Sequence, residues 1–123
     1  MSDGAWQFWV DRGGTFTDVA AAFGVESTTS LSNGASWVDA DRDGDLDLHV
    51  VNGSGPGQFF RNDGATFTEV AATVGLDVGE QGLNAAWGDC DGDGDMDVFI
   101  TNPSSQSSWL LLNDGAGNFT LTE

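Results

Sequence analysis

Two stretches of nine residues hold ten of the 20 acids in this chain. In the first, Asp39, Asp41, Asp43, Asp45 and Asp47 occupy alternate positions; in the second, 50 residues on, Asp89, Asp91, Asp93, Asp95 and Asp97 do the same. Both stretches read Asp-x-Asp-x-Asp-Gly-x-x-Asp, with the glycine at Gly44 and Gly94. Alternate carboxylates curl around a common centre, and the glycine permits the sharp turn that brings the seventh position close. An all-oxygen shell of that kind suits Ca²⁺, which takes six to eight oxygens at roughly 2.3–2.6 Å. The side chains at positions 1, 3, 5 and 9 are expected to ligate directly, and Asp45 and Asp95 through the backbone carbonyl. Mg²⁺ is a poorer match because it demands strict octahedral geometry and keeps its waters. Zinc lacks the His and Cys that it prefers. The expectation is two calcium ions, one per loop.

The helix–loop–helix calcium site is the obvious competitor. Its twelfth loop position carries Glu, whereas here that position is Val50 or Ile100. Its loop is also flanked by helices, yet Leu48-His49-Val50-Val51 and Val98-Phe99-Ile100-Thr101 are β-rich runs. Asp47 and Asp97 close each loop early in place of the absent Glu.

The elements that must position these loops come from a repeat. Gln7-Phe8-Trp9 followed by Thr15-Phe16-Thr17 matches Gln58-Phe59-Phe60 followed by Thr66-Phe67-Thr68, and Val19-Ala20-Ala21 with Gly24 matches Val70-Ala71-Ala72 with Gly75. A third copy runs from Leu111-Leu112-Asn113-Asp114-Gly115 to Phe119-Thr120, with one residue inserted in the turn. Between these lie two copies of another half, Ala35-Ser36-Trp37 with the first Asp loop and Ala85-Ala86-Trp87 with the second. Strands are predicted at 46–51 and 96–101 after the Asp loops. Further strands at 58–61 and 108–112 end in Asn-Asp-Gly turns, which favour hairpins because Asn and Gly accept positive φ. Return strands are predicted at 67–70 and 119–122. Val19 to Phe23, echoed by Val70 to Val74, is helix-like but too short to be more than a turn.

The predicted fold class is therefore all-β, with four-stranded propeller-type blades in about two and a half repeats of roughly 50 residues. Within a unit, strand A enters the Asp loop, B leaves it, and C and D form a hairpin. The expected divisions are 1–30 (a C–D half-blade and connector), 31–76 (the first calcium-binding blade) and 77–123 (the second).

Composition narrows the function classes. Three arginines and no lysine face 20 acids, for a formal net charge of −17. Such a surface repels nucleic acid and anionic membranes. No run of 18 apolar residues would span a bilayer, and Met1-Ser2-Asp3-Gly4 lacks the features of a signal peptide. The eight Phe and five Trp supply a core, which separates the chain from disordered acidic tails. Two Ca²⁺ would bring the charge to −13 and relieve the crowding in both loops. The single cysteine, Cys90, permits no internal disulfide and reads as a tolerated small residue pointing away from the ion.

The run Trp87-Gly88-Asp89-x-Asp91-Gly92-Asp93-Gly94-Asp95-x-Asp97-Val98-Phe99, with Leu112-Asn113-Asp114-Gly115 and Phe119-Thr120 after it, resembles the FG-GAP/VCBS-type repeats of bacterial secreted proteins and integrin α-subunit propellers. The resemblance covers almost the whole chain. It implies a calcium-stabilised propeller blade, an extracellular or cell-surface setting and a role in adhesion or assembly. By the same resemblance, the aspartates of 39–47 and 89–97 are the calcium ligands. Such families typically close a ring of about seven blades, and this chain carries two and a half.

Repeats of this kind bury their faces only against neighbours, and an unpaired hairpin leaves a strand edge open. The sequence-based expectation is self-association into a ring or a filament, with membership of a larger propeller or an adhesive, glycan- or protein-binding surface as alternatives. Trp37 and Trp87 are expected in the core beside the loops, and Phe16, Phe67 and Phe119 in the cores of the C–D hairpins. Trp6, Trp9 and Trp109 are candidates for stacking on a sugar. His49 aligns with Phe99 and reads as a strand residue. Asn52-Gly53-Ser54 and Asn118-Phe119-Thr120 fit the glycosylation sequon. With the carboxylates assigned to metal binding and the one histidine in a strand, no catalytic set can be assembled, and an enzyme is not expected.

Overall fold

The computed structural model describes residues 9–11, 13–26, 31–78, 82–103 and 107–122. Trp6, Gln7 and Phe8 lie outside the described residues, as does the side chain of Trp9. The strands are short and strictly antiparallel. β1 (Trp9–Asp11) and β2 (Phe16–Asp18) form a hairpin, followed by one helical turn, α1 (Ala20–Phe23). β3 (Ser32–Val38), β4 (Asp47–Asn52), β5 (Gln58–Asn62) and β6 (Phe67–Glu69) make the first four-stranded sheet, in chain order. A second helical turn, α2 (Ala71–Val74), leads to the second sheet. That sheet comprises β7 (Asn84–Gly88), β8 (Asp97–Thr101), β9 (Trp109–Asn113) and β10 (Phe119–Leu121), again in chain order. The all-β expectation holds, the sheets are blade-like, and among the described residues three C–D hairpins accompany two A–B hairpins.

Both helical turns stop at a glycine in the left-handed region, Gly24 at φ 74° and Gly75 at φ 84°. Gly75 is also pressed against its neighbour, because a Cβ there would lie 2.4 Å from the Phe119 carbonyl oxygen. The chain turns at these points because a residue without Cβ can take both the dihedral and the contact.

The core is built face by face. Every residue of β4 is buried, so this strand is covered on both sides. Leu48, Val50 and Phe60 pack against Ala20, Val25 and Phe23 of the N-terminal unit. On the opposite face, Val38, Ala40, Val51 and Phe59 join Val98, Ile100, Leu111 and Phe119 of the second sheet, closed by Ala71, Val74 and Leu76. The two interfaces share one half: Ala20 and Val25 sit on the first sheet as Ala71 and Leu76 sit on the second. β8 shows the contrast, since Val98 and Ile100 are buried while Phe99 between them is exposed.

The tryptophans and phenylalanines divide by position in this stack. Trp87 packs against His49, Phe59 and Phe119, with ring centroids at 5.4, 6.2 and 5.6 Å. Trp37, its counterpart, is 45% exposed, and Phe16 is 64% exposed, so the core expectation holds for Trp87 and Phe119 but not for Trp37 and Phe16. Trp109 is half-buried against the larger cluster. Asn52 is buried, with its amide donating to the Pro56 carbonyl, which leaves no room for a glycan.

Candidate metal centre

Each Asp loop connects the first two strands of its sheet, so β3–β4 and β7–β8 set its ends. In the first loop Asp39, Asp41 and Asp43 bring carboxylate oxygens within 4.8 Å of one another; in the second, Asp89, Asp91 and Asp97 do so. The loops hold themselves in this curl by donating backbone N–H groups to their own carboxylates. Gly44 N donates to Asp39 Oδ2 at 3.1 Å, and Gly94 N to Asp89 Oδ2 at 2.9 Å. Asp43 and Asp45 N donate to Asp41 and Asp43, and the same pair recurs at Asp93 and Asp95. Gly44 and Gly94 take φ of 94° and 92°, which is why the sixth position is glycine.

The ninth position has a tethering role that spacing alone does not reveal. Asp47 Oδ2 accepts from Ala40 N at 3.1 Å and Oδ1 from Asn62 N at 2.9 Å. Asp97 repeats the pattern with Cys90 N and Asn113 N, both at 2.9 Å. Each carboxylate thus joins the start of its loop to the end of the third strand, and each oxygen keeps a further lone pair. Asp45 and Asp95 at position 7 turn their side chains away from the clusters. Asp45 Oδ2 faces Gly64, and Asp95 lies against Gly115, paired with Arg42 from the first loop.

Three of the loop carboxyls are shifted, in two directions. Burial pushes the Asp47 carboxyl up, against the N–H groups of Asn62 and Ala40, and the charges of Asp41 and Asp43 add to the rise. Asp91 is raised by desolvation and by Asp93 and Asp97. At Asp97 desolvation also raises, but the N–H donors of Asn113 and Cys90 outweigh it and the pKa falls. The Cys90 thiol is raised chiefly by its hydrogen bond to Asp97, so it is a poor nucleophile despite its exposure.

Residues 39–100, half of the chain, match the model of the family described as FG-GAP-like repeat. The chain belongs to this family. No match was found among curated proteins. The matched region of the FG-GAP-like repeat runs from the first residue of the first Asp loop through the first C–D hairpin to the strand that leaves the second loop. It therefore contains both candidate centres.

Whether these residues fit calcium can be judged from the chain itself. Asp39 Oδ1 is buried and has no hydrogen-bond partner among the described residues. An orphaned carboxylate oxygen inside a ring of carboxylates is costly unless a cation takes its lone pairs. The donors are hard oxygens only, which fits Ca²⁺ and not the softer transition metals.

The FG-GAP-like repeats also touch through their loops. Asn113 Nδ2 donates to the Met96 carbonyl of its own loop at 3.1 Å and to the Ala40 carbonyl of the first loop at 2.8 Å. Arg61 lies 3.7 Å from Asp41, and a Cβ on Gly117 would meet Asp41 Cβ at 3.1 Å. Together with Arg42–Asp95, the contacts of Asn113 and Gly117 bind the first loop to the next sheet, while Arg61–Asp41 lies within the first. Sequence reading missed Asn113, Arg42 and Arg61. The Asn-Asp-Gly turn identified the first of them only as a turn former.

Proposed function

We propose that this chain is a calcium-stabilised structural module, one part of a larger propeller-type assembly in an extracellular or cell-surface setting. The observation that carries the reading is the orphaned Asp39 Oδ1 within the Asp39–Asp41–Asp43 cluster, at a loop that also anchors the next sheet. In this role Asp39, Asp41 and Asp43, with Asp89, Asp91 and Asp97, would hold one ion per loop. Asp93 lies outside the second cluster, Asp45 and Asp95 would offer backbone carbonyls, and Asp47 and Asp97 tie each loop to its sheet. The ion would supply positive charge where carboxylates crowd, and its binding free energy becomes folding free energy.

The loops are clips rather than switches. Each is bounded by two strands of one sheet, with no helix pair to open. An extracellular setting fits because modules outside cells bind calcium with Kd of about 10⁻⁴–10⁻³ M and stay loaded there. Assembly is supported by the repeat packing, in which each covered sheet face meets a neighbouring unit while the Phe99 face of the second sheet remains open.

The test is thermal unfolding with calcium and with EDTA, read with light scattering on a sizing column. Calcium at a hundredfold excess over Kd should raise Tm by on the order of 10 °C. Identical curves in calcium and EDTA would refute the clip.

A further inference from the structure

The face of the first sheet that carries Trp37 and Phe67 holds a groove of about 370 Å³, lined by Phe23, Trp37, Leu46, Asn62, Gly64 and Phe67. Its counterpart on the second sheet is already filled, which shows what such a groove takes. There Trp87, Met96, Asn113, Gly115 and Phe119 occupy the corresponding places, and they are covered by the inner hairpin of the first sheet and its Asp loop. Trp87 meets His49, the Asn113 amide donates to the Ala40 carbonyl, Arg42 pairs with Asp95 beside Gly115, and Gly117 abuts Asp41.

On the first sheet the same groups stand ready. Leu46, the counterpart of Met96, is 52% exposed. The Asn62 amide donates to the Leu46 carbonyl, as Asn113 does to Met96, and its second N–H has no acceptor among the described residues. Asp45 faces Gly64 as Asp95 faces Gly115, with no basic partner among the described residues. The rest of this face, at Leu48, Val50 and Phe60, is closed by Ala20, Phe23 and Val25. The outer hairpin β1–β2 precedes them and pairs only with itself among the described strands. A complete four-stranded blade would collide with that hairpin, because both would claim the outer half of the same place. An inner hairpin would not.

We propose that this groove is a docking site for a strand–Asp loop–strand hairpin from another repeat of the same family, with arginine at its fourth loop position. The inference rests on the assembly reading above and names its partner. The hairpin would extend β1 by strand addition, give a loop carbonyl to Asn62 and set its arginine against Asp45. The two loops of this chain differ at that fourth position, Arg42 in the first and Gly92 in the second. Copies of them make a matched pair of probes.

The experiment titrates the full chain, in calcium, into fluorescein-labelled peptides copying residues 31–57 or 82–103, read by anisotropy. The 31–57 peptide should bind saturably at one per chain, and the 82–103 peptide or an Arg42→Ala version of 31–57 about tenfold more weakly, a loss of about 1.4 kcal/mol. Leu46→Asp in the chain should abolish binding. The Arg42→Ala comparison stands even if that variant folds poorly, since it alters only the probe. Absence of binding, equal binding of all three peptides, or binding indifferent to Leu46→Asp would overturn the proposal. So would displacement of the peptide by a simple sugar, or a groove filled by dimerisation of the chain itself. Melting the same sample with calcium and EDTA separates this failure from failure of the clip, which would show as an unchanged Tm.

Discussion

Asp47 and Asp97 occupy the same loop position and accept the same pair of backbone N–H groups, yet their carboxyls shift in opposite directions. Both are buried, but at Asp47 desolvation and the charges of Asp41 and Asp43 prevail, whereas at Asp97 the N–H donors and the Cys90 thiol outweigh desolvation. Among the metal-binding candidates Asp39 is the most exacting, because its Oδ1 has no other use. Asp39→Asn should lower the calcium stoichiometry measured by calorimetry from two to one, with affinity at the second loop retained; a variant that still binds two ions equally well would remove Asp39 from the ligand set. His49 offers a test through pH. Burial among Phe59 and Trp87 pushes its pKa down to about 4 from the ordinary 6.5, and its Nδ1 has no partner among the described residues. Above pH 6.5 both folded and unfolded chains carry it neutral. As pH falls toward 4 the unfolded chain takes up a proton that the folded chain refuses, so stability is lost, by about 2–3 kcal/mol at pH 4.5. His49→Phe, which restores the residue found at the matching place in the second sheet, should abolish that part of the acid sensitivity. Denaturant melts of both proteins at pH 7 and 4.5, in saturating calcium, isolate it by difference, and equal losses would count against the assignment.

At the level of the elements, the hairpin turns do more than reverse the chain. Asn62 Oδ1 accepts from Gly64 N at 2.9 Å, and Asn113 Oδ1 accepts from Gly115 and Gly117 N, each at 3.1 Å. Only Asn113 also reaches the neighbouring loop. Asn113→Leu should therefore destabilise the chain by about 2–4 kcal/mol and Asn62→Leu by about 1 kcal/mol less, the difference being the buried bond to Ala40. Equal costs in chemical denaturation would deny that bond its part. Strands and turns were legible in the sequence because their signals are local. The Asp loops, the Asn-Asp-Gly turns and the β-rich runs between them placed six strands within a residue, and Gly24 and Gly75 marked the ends of both helical turns. Stacking was not legible. Trp37 and Trp87 stand in nearly the same local sequence, yet one is exposed and the other half-buried, because only the second packs against His49 and Phe59 of the preceding sheet. Arg42 and Asp95 lie 53 positions apart, and nothing in either loop announces the other.

The described residues form a directional stack, an N-terminal unit on the first sheet and the first sheet on the second, with the helical-turn half of each contact repeated. Its charge of −17 opposes this compaction, and ten of the acids responsible are gathered at two points where divalent ions can answer them. The C–D hairpins carry less of the charge and more of the apolar packing, so ions bound in the loops would act on them only indirectly, through Asp47 and Asp97. One strand stands apart in this arrangement. β4 is covered on both faces, whereas β8 turns Phe99 to solvent. In an array of repeats the enclosed unit opens least often and the end unit most often. Placed in heavy water, the chain should therefore behave as a clock with two hands. The backbone amides of β8 should take up deuterium first, through openings of the second sheet alone. Those of β4 should follow only when the stack as a whole comes apart, and uptake in the reverse order would mean that enclosure does not set the sequence of opening.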